Sequence, residues 1–222
     1  MTGFFITATG TDAGKTLLTA GLVYQLVRQG QAVQAIKPVV SGVDAQNWQR
    51  SDPAQLLAAM GLVASQEATD ALSPWRFERP VFPHLAAVVD MPAMLTFCRD
   101  ALAKDGVTLI EGAGGVLAPI TRQHTMLDVM RELKIPAVIV GGSYVGGISH
   151  MLSALHVLSH ANVPVQAVVI NESPGSATTV AETVEAITDH SPLAAPVFTL
   201  PRISNTTTPW KELPPITKVL SL

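Results

Sequence analysis

Short apolar runs and amphipathic stretches alternate along most of this chain. The runs Gly3–Thr7, Ala32–Ile36, Val107–Ile110, Ala137–Val140, Val165–Ile170 and Pro196–Leu200 end in glycine, proline or a polar turn and read as strands. Several are apolar at nearly every position, the pattern of a strand covered on both faces of a parallel sheet. Between them, apolar residues recur at helical spacing over Lys15–Gln29, Asp52–Met60, Ala93–Lys104, Met126–Leu133, Ile148–Ser159 and Ala177–Thr188. Alternation of this kind predicts an α/β fold with a mostly parallel sheet and helices on both faces. Ligands of such sheets bind at the carboxyl ends of the strands. Two segments break the rhythm. Ala64 to His84, with Pro74, Pro80 and Pro83, reads as an irregular loop. Arg202 to Pro215, rich in threonine and proline, reads as a loosely ordered lid, linker or interface arm.

Composition narrows the class. The 222 residues are 48% hydrophobic, 14% charged and 5% aromatic, enough for one large aliphatic core, so residues 1–222 are expected to form a single domain. A net charge of −3 argues against nucleic acid as the main partner, because neutralising phosphates needs a basic face. Apolar runs stay shorter than the ~18 residues of a membrane span, and the N-terminus has neither the basic region nor the long apolar region of a signal peptide. The lone Cys98 lies in an apolar run, excludes an internal disulfide framework and suits a reducing cytoplasm.

The chemistry starts at Gly14-Lys15-Thr16, which follows the apolar Phe4-Phe5-Ile6 and precedes the amphipathic Leu17 to Leu26. In a strand–loop–helix setting these residues cradle nucleotide phosphates. Backbone N–H groups and the helix N-terminus face the anion, the lysine reaches its terminal oxygens, and the threonine can ligate Mg²⁺. An ordinary strand-to-helix turn can carry the same three residues; the strict phosphate-loop pattern would need glycine at position 9, where the chain has Thr9. With the phosphate loop, the expected architecture is a P-loop NTPase-like three-layer α/β/α fold.

Other candidates sit at strand ends. Ile36-Lys37-Pro38-Val39-Val40-Ser41-Gly42 puts a lysine beside the loop, either stabilising a transferred anion or merely solvated. Leu109-Ile110-Glu111-Gly112-Ala113-Gly114-Gly115 puts an acid at the end of a buried strand, as a metal-holding Walker B residue or as the start of a tight glycine turn. Asp52 follows Ser51 at a helix start, where a carboxylate can hold metal or simply favour the helix dipole. Asn171 can read a base edge or cap a turn. His84 after Pro83 is an anion contact or a helix-start residue, and His150, His156 and His160 read as surface or interface residues.

Taken together, the sequence resembles the dethiobiotin synthetase family over nearly its full length. The likeness rests on the threonine-bearing loop ending in Gly14-Lys15-Thr16, on Lys37-Pro38-Val39-x-Ser41-Gly42, Ser51-Asp52, Pro83-His84, Glu111-Gly112-Ala113-Gly114-Gly115, Gly146-Gly147-Ile148-Ser149-His150 and Asn171. The chain departs from the family where Gly10-Thr11-Asp12 stands two positions later in the loop, and where Ser149 replaces the usual asparagine. The resemblance implies ATP- and Mg²⁺-dependent carboxylation of 7,8-diaminononanoate with CO₂, through a carbamate and a carbamic–phosphoric anhydride, to the cyclic urea dethiobiotin. It implies catalytic roles for Lys15, Lys37, Thr11 and Ser41, and ATP contacts from Asp12, Ala13, Gly14, Lys15, Thr16, Leu17, Gly114 and Asn171. It implies metal contacts from Thr16, Asp52 and Glu111, and substrate contacts from Ser41 and, across a homodimer interface, Gly147, Ile148 and Ser149. Two alternatives stand beside it. A cobyrinate synthetase-like amide ligase would carry a glutaminase domain, for which this chain has no room. A ParA/MinD-type switch ATPase would have its signature lysine where Gly10 lies.

Overall fold

The computed structural model describes residues 2–79, 89–205 and 207–222. Six parallel strands form the central sheet in the order β2-β5-β1-β6-β7-β8: β1 (Thr2–Ala8), β2 (Val33–Ile36), β5 (Val107–Glu111), β6 (Ala137–Gly142), β7 (Val165–Asn171) and β8 (Val197–Leu200). The chain visits one edge through β2, returns through β5 and then crosses β1 to build the other side. That reversal flanks β1 with β5 and β6, so the carboxyl end of β1 opens into the crevice where α/β sheets bind ligands.

Every second residue of a strand faces the same side, and both sides are apolar. Phe5, Ile110, Ile139 and Ile170 pack with helices α4 (Met91–Leu102), α5 (Met126–Leu133), α6 (Gly147–His160) and α7 (Val180–His190). Phe4, Ile6, Leu109, Val138 and Val169 face α1 (Lys15–Arg28) and α2 (Asp52–Ala59). Local signals set the helix starts. Ser51 accepts a hydrogen bond from Ala54 N, Asp90 from Ala93 N, and Thr179 with Glu182 forms a capping box.

The six predicted strands and six predicted helices are all present, with ends shifted by up to three residues. Ala64 to Arg79, the described part of the segment read as an irregular loop, is more ordered than its composition suggests. Ser65 caps α3 (Gln66–Leu72), and β4 (Trp75–Phe77) pairs in parallel with β3 (Val39–Ser41) in a separate two-stranded sheet. These three-residue strands are too short for a sequence pattern and exist only through each other. Positions 80–88, with Pro83 and His84, lie outside the described residues.

Arg202 to Pro215 is no loose arm over its second half. Short 3₁₀ turns at Pro209–Glu212 and Thr217–Leu220 bury Trp210, Leu213, Ile216 and Val219 against α1. Gln25 of α1 clasps this strap: its amide donates to Leu213 O (3.3 Å) and Pro214 O (2.8 Å), and its carbonyl accepts from Ile216 N (2.8 Å). Gly21 makes room for it, since a Cβ there would lie 2.4 Å from Leu213 Cδ1. The polar composition hides four apolar anchors spaced three residues apart.

Truncating one anchor should therefore behave as a core mutation. Leu213→Ala is expected to lower the unfolding free energy by about 2–3 kcal/mol, read from urea denaturation; a loss under about 0.5 kcal/mol would restore the loose arm.

Candidate active site

Lys15 opens α1 behind Gly14, whose φ of 103° lies in the left-handed region. Glycine is needed there twice over, because a Cβ would lie 2.4 Å from Asn171 Nδ2. Asn171, at the carboxyl end of β7, thus packs directly on the phosphate loop and donates weakly to Ala13 O (3.5 Å). The Lys15 ammonium folds onto the loop, donating to Gly10 O (3.0 Å) and Gly114 O (2.6 Å). Burial, with Lys37 nearby, pulls its pKa down to about 8. Thr11 and Asp12 stand exposed on the crest of the loop, Asp12 at φ 57°.

Lys37 leaves β2 where Pro38 ends the pairing with the main sheet. Its backbone is locked on both sides: its N–H donates to Leu72 O (3.2 Å) and its carbonyl accepts from the Ser73 hydroxyl (2.5 Å). Its ammonium, buried, donates to Glu111 Oε1 at 2.6 Å and pairs with Asp52 Oδ2 at 2.8 Å. Burial works against that charge, but Glu111 and Asp52 outweigh it and hold the lysine above its usual range. Asp52 feels burial upward and Lys37 downward, and the lysine wins.

Glu111 is fully buried at the end of β5. Its Oε1 also accepts from the Thr16 hydroxyl (2.7 Å), whereas Oε2 is buried without a hydrogen-bond partner among the described residues. An unpaired buried carboxylate oxygen is costly unless something else ligates it. With Asp52 and Thr16 beside it, this is an all-oxygen donor set that fits Mg²⁺. Among the described residues no cluster of three or more His, Cys, Asp or Glu side chains could hold a metal by itself. A cation here would complete its shell with phosphate and water. Ser41 Oγ is likewise buried and unpaired.

A cleft of about 430 Å³ runs from the loop along α6. Thr9, Gly10 and Thr11 form one end, Val116, Leu117, Ala118 and Pro119 a wall, and His150, Ser153, Ala154 and Val157 the floor. Gly147, Ile148 and Ser149 begin α6 just ahead of His150, with Gly146 as N-cap. His150 Nδ1 meets the Tyr144 hydroxyl at 2.8 Å; His156 and His160 are exposed. Sequence reasoning missed Thr9, whose hydroxyl is buried and without a partner among the described residues at one end of this cleft, and the wall formed by the residues after Gly115. The apolar Val116-Leu117 next to a glycine turn was the signal available for the wall.

Comparison with known proteins follows the same lines. Residues 2–209 match a family model described as an AAA domain. An ATP-dependent dethiobiotin synthetase of Methylobacterium nodulans is 39% identical over 202 residues, covering 86% of this chain and 90% of the relative. One from Caulobacter sp. strain K31 is 41% identical over 209 residues, covering 91% and 89%. Among solved structures, a ParA family ATPase from Chlorobium tepidum superposes with TM-score 0.55 at 14% identity, over 99% of this chain and 95% of that one. The signal recognition particle receptor FtsY of Elizabethkingia anophelis with GDP gives TM-score 0.55 at 15% identity, over 99% and 62%. At such identities these structures share the fold, a P-loop NTPase-like sheet, and no more.

The depressed pKa of Lys15 has a sign that can be checked. The folded chain holds this proton more weakly than the unfolded one, so the charge opposes folding in full below about pH 8 and the penalty fades as pH rises toward 10.5. Lys15→Met is expected to gain stability relative to the parent at pH 7, by roughly 1–3 kcal/mol, and to lose that advantage by pH 10. Urea unfolding of both chains at pH 7, 8.5 and 10 reads it; a gap independent of pH would mean that the lysine is not desolvated.

Proposed function

The chain belongs to the dethiobiotin synthetase family, and from that membership we propose how its residues share the work. It is an ATP-dependent ligase of biotin synthesis. In our reading it takes 7,8-diaminononanoate, CO₂ and ATP. One amine of the diamine adds to CO₂ and loses a proton, giving a carbamate. A carbamate oxygen attacks the γ-phosphorus and ADP departs. The second amine then attacks the carbonyl carbon of the mixed anhydride, phosphate leaves, and the cyclic urea closes.

ATP, the carbamate and the mixed anhydride all carry negative charge at the reacting centre, so the residues that matter concentrate positive charge and exclude water. Lys15 and the loop N–H groups of Ala13, Gly14 and Thr16 hold the triphosphate, with Asp12, Leu17 and Gly114 bordering it. Asn171 reads the adenine edge from its seat on the loop. Lys37 neutralises the oxygens of the transferred phosphoryl group and the carbamate. The unpaired Ser41 hydroxyl and the exposed Thr11 donate to the carbamate. Thr16, Asp52 and Glu111 would hold Mg²⁺, and the free Glu111 Oε2 supports that assignment. Bound there, the ion supplies charge neutralisation at the phosphate oxygens.

The apolar cleft along α6 suits the aliphatic chain of the diamine. Its carboxylate then meets the first turn of α6, at Gly147, Ile148 and Ser149, across a homodimer interface. Leu117 on the cleft wall and Val145 ahead of α6 expose 54% and 76% of their surface, which supports coverage by a second copy. No helix among the described residues is long and apolar enough to cross a membrane. The cytoplasm is the compartment this reading implies.

The observation that carries the reading is the ion pair of Lys37 with Glu111, a cation and a Walker-type acid 2.6 Å apart at adjacent strand ends beside the phosphate loop. Labelled CO₂ is expected to enter an acid-stable product in step with phosphate release from Mg-ATP, and only with the diamine present. Lys37→Ala should cut that rate by ~10²–10³ while nucleotide still binds. ATP hydrolysis indifferent to the diamine, with no acid-stable label, would overturn the assignment.

A further inference from the structure

Lys37 stands on the two carboxylates that the preceding reading gives to the metal, taking Glu111 Oε1 and leaving Oε2 free. Its Nζ lies 2.8 Å from Asp52 Oδ2 and 2.6 Å from Glu111 Oε1, and the Thr16 hydroxyl reaches the same Oε1 at 2.7 Å. Three prospective metal ligands thus converge where an ammonium already sits. The cluster is balanced as it stands: the two lysines Lys15 and Lys37 face the two carboxylates Asp52 and Glu111. A divalent cation held by Glu111 Oε2 and Asp52 must sit against the Lys37 ammonium or push it aside, and entering alone it leaves two uncompensated positive charges in a buried site, which is costly at low local dielectric. A cation arriving with a triphosphate brings its own negative charge and gives the displaced ammonium somewhere to go. The backbone of Lys37 is fixed by Leu72 and Ser73, so only its side-chain torsions can carry that change.

We propose that Lys37 is a tethered counter-ion that keeps the Asp52–Glu111 pair closed to free divalent cations and releases it only to a metal accompanied by nucleotide. One side-chain movement then loads the metal and delivers the catalytic ammonium to the transferred phosphoryl group. The order of binding is built in: nucleotide comes before or with the metal, and an empty site does not trap stray divalent ions. The proposal rests on the assignment of Asp52 and Glu111 as metal ligands.

Binding of Mn²⁺ to the metal-stripped full-length chain, followed by electron paramagnetic resonance, tests it without turnover. The parent chain should hold Mn²⁺ weakly alone and tightly with a non-hydrolysable ATP analogue. Lys37→Met should bind Mn²⁺ without nucleotide about tenfold or more tightly than the parent. Its melting temperature should fall in chelator and recover with Mn²⁺. Adding Glu111→Gln should abolish the gain. Equal nucleotide-free affinity in parent and Lys37→Met overturns the proposal. If Lys37→Met does not fold, the ¹⁵N ammonium signal of Lys37 in the parent, assigned through Lys37→Arg, decides: it should shift with Mg²⁺ plus the analogue and not with Mg²⁺ alone, and a shift with Mg²⁺ alone overturns the proposal. Glu111→Gln in the otherwise unaltered chain separates the two ideas. Unchanged Mn²⁺ affinity in the presence of the analogue removes the metal-site assignment and the latch with it, whereas a loss there combined with tight nucleotide-free binding by the parent removes the latch alone.

Discussion

Two buried or half-buried carboxylates and two buried lysines at the carboxyl edge of one sheet are the constraint around which this molecule is arranged. Stripping water from such charges costs several kcal/mol each unless they find one another, and removing one member of a buried pair typically costs 3–5 kcal/mol. The four come from four places in the chain: the start of α1, the end of β2, the start of α2 and the end of β5. They meet only because β5 inserts between β1 and β2. The strand order therefore fixes the chemistry, and the chemistry in turn demands that the strand order be held rigidly.

That rigidity is bought by apolar packing on both faces of the sheet, and it frees the edge to be locally unsatisfied. Glu111 Oε2, Ser41 Oγ and Thr9 Oγ1 are all buried polar atoms without partners among the described residues, gathered at one end of the sheet. In a structure built only for stability such atoms would be paired. Trp210 Nε1, in the strap, is a fourth such atom; in the proposed function the other three are where ligands complete the hydrogen-bond network.

Much of this was legible in the sequence, for identifiable reasons. The main-sheet strands are four to seven residues long and mostly apolar, and Ser51 announces the start of α2. Glu111 and Lys37 could be picked out because each is a charge at the end of an apolar run. What escaped was nonlocal. Strands β3 and β4 have three residues each and no pattern of their own, and they form because Pro38 diverts the chain from the main sheet. The strap's order comes from Gln25 and from the absence of a side chain at Gly21, both remote in sequence. Asn171 could be read as a base reader or a turn cap, and only the fold shows it pressed on Gly14. That Lys37 rests on the Asp52 and Glu111 carboxylates was equally hidden, because spacing along a chain does not say which cation a carboxylate holds.

The clasp between Gln25 and the strap spans 188 residues of sequence. During synthesis α1 leaves the ribosome early, carrying the phosphate loop at its head, yet Leu18, Leu22 and Leu26 share their core with side chains made some ten seconds or more later at ordinary elongation speeds of about 5–20 residues per second. The nucleotide-binding end of this protein therefore cannot reach its final packing until Trp210 to Leu220 have emerged. A nascent chain lacking them exposes an aliphatic helix face, and a ribosome stalled before them yields a chain with Lys15, Lys37, Asp52 and Glu111 all made and no settled helix behind its phosphate loop.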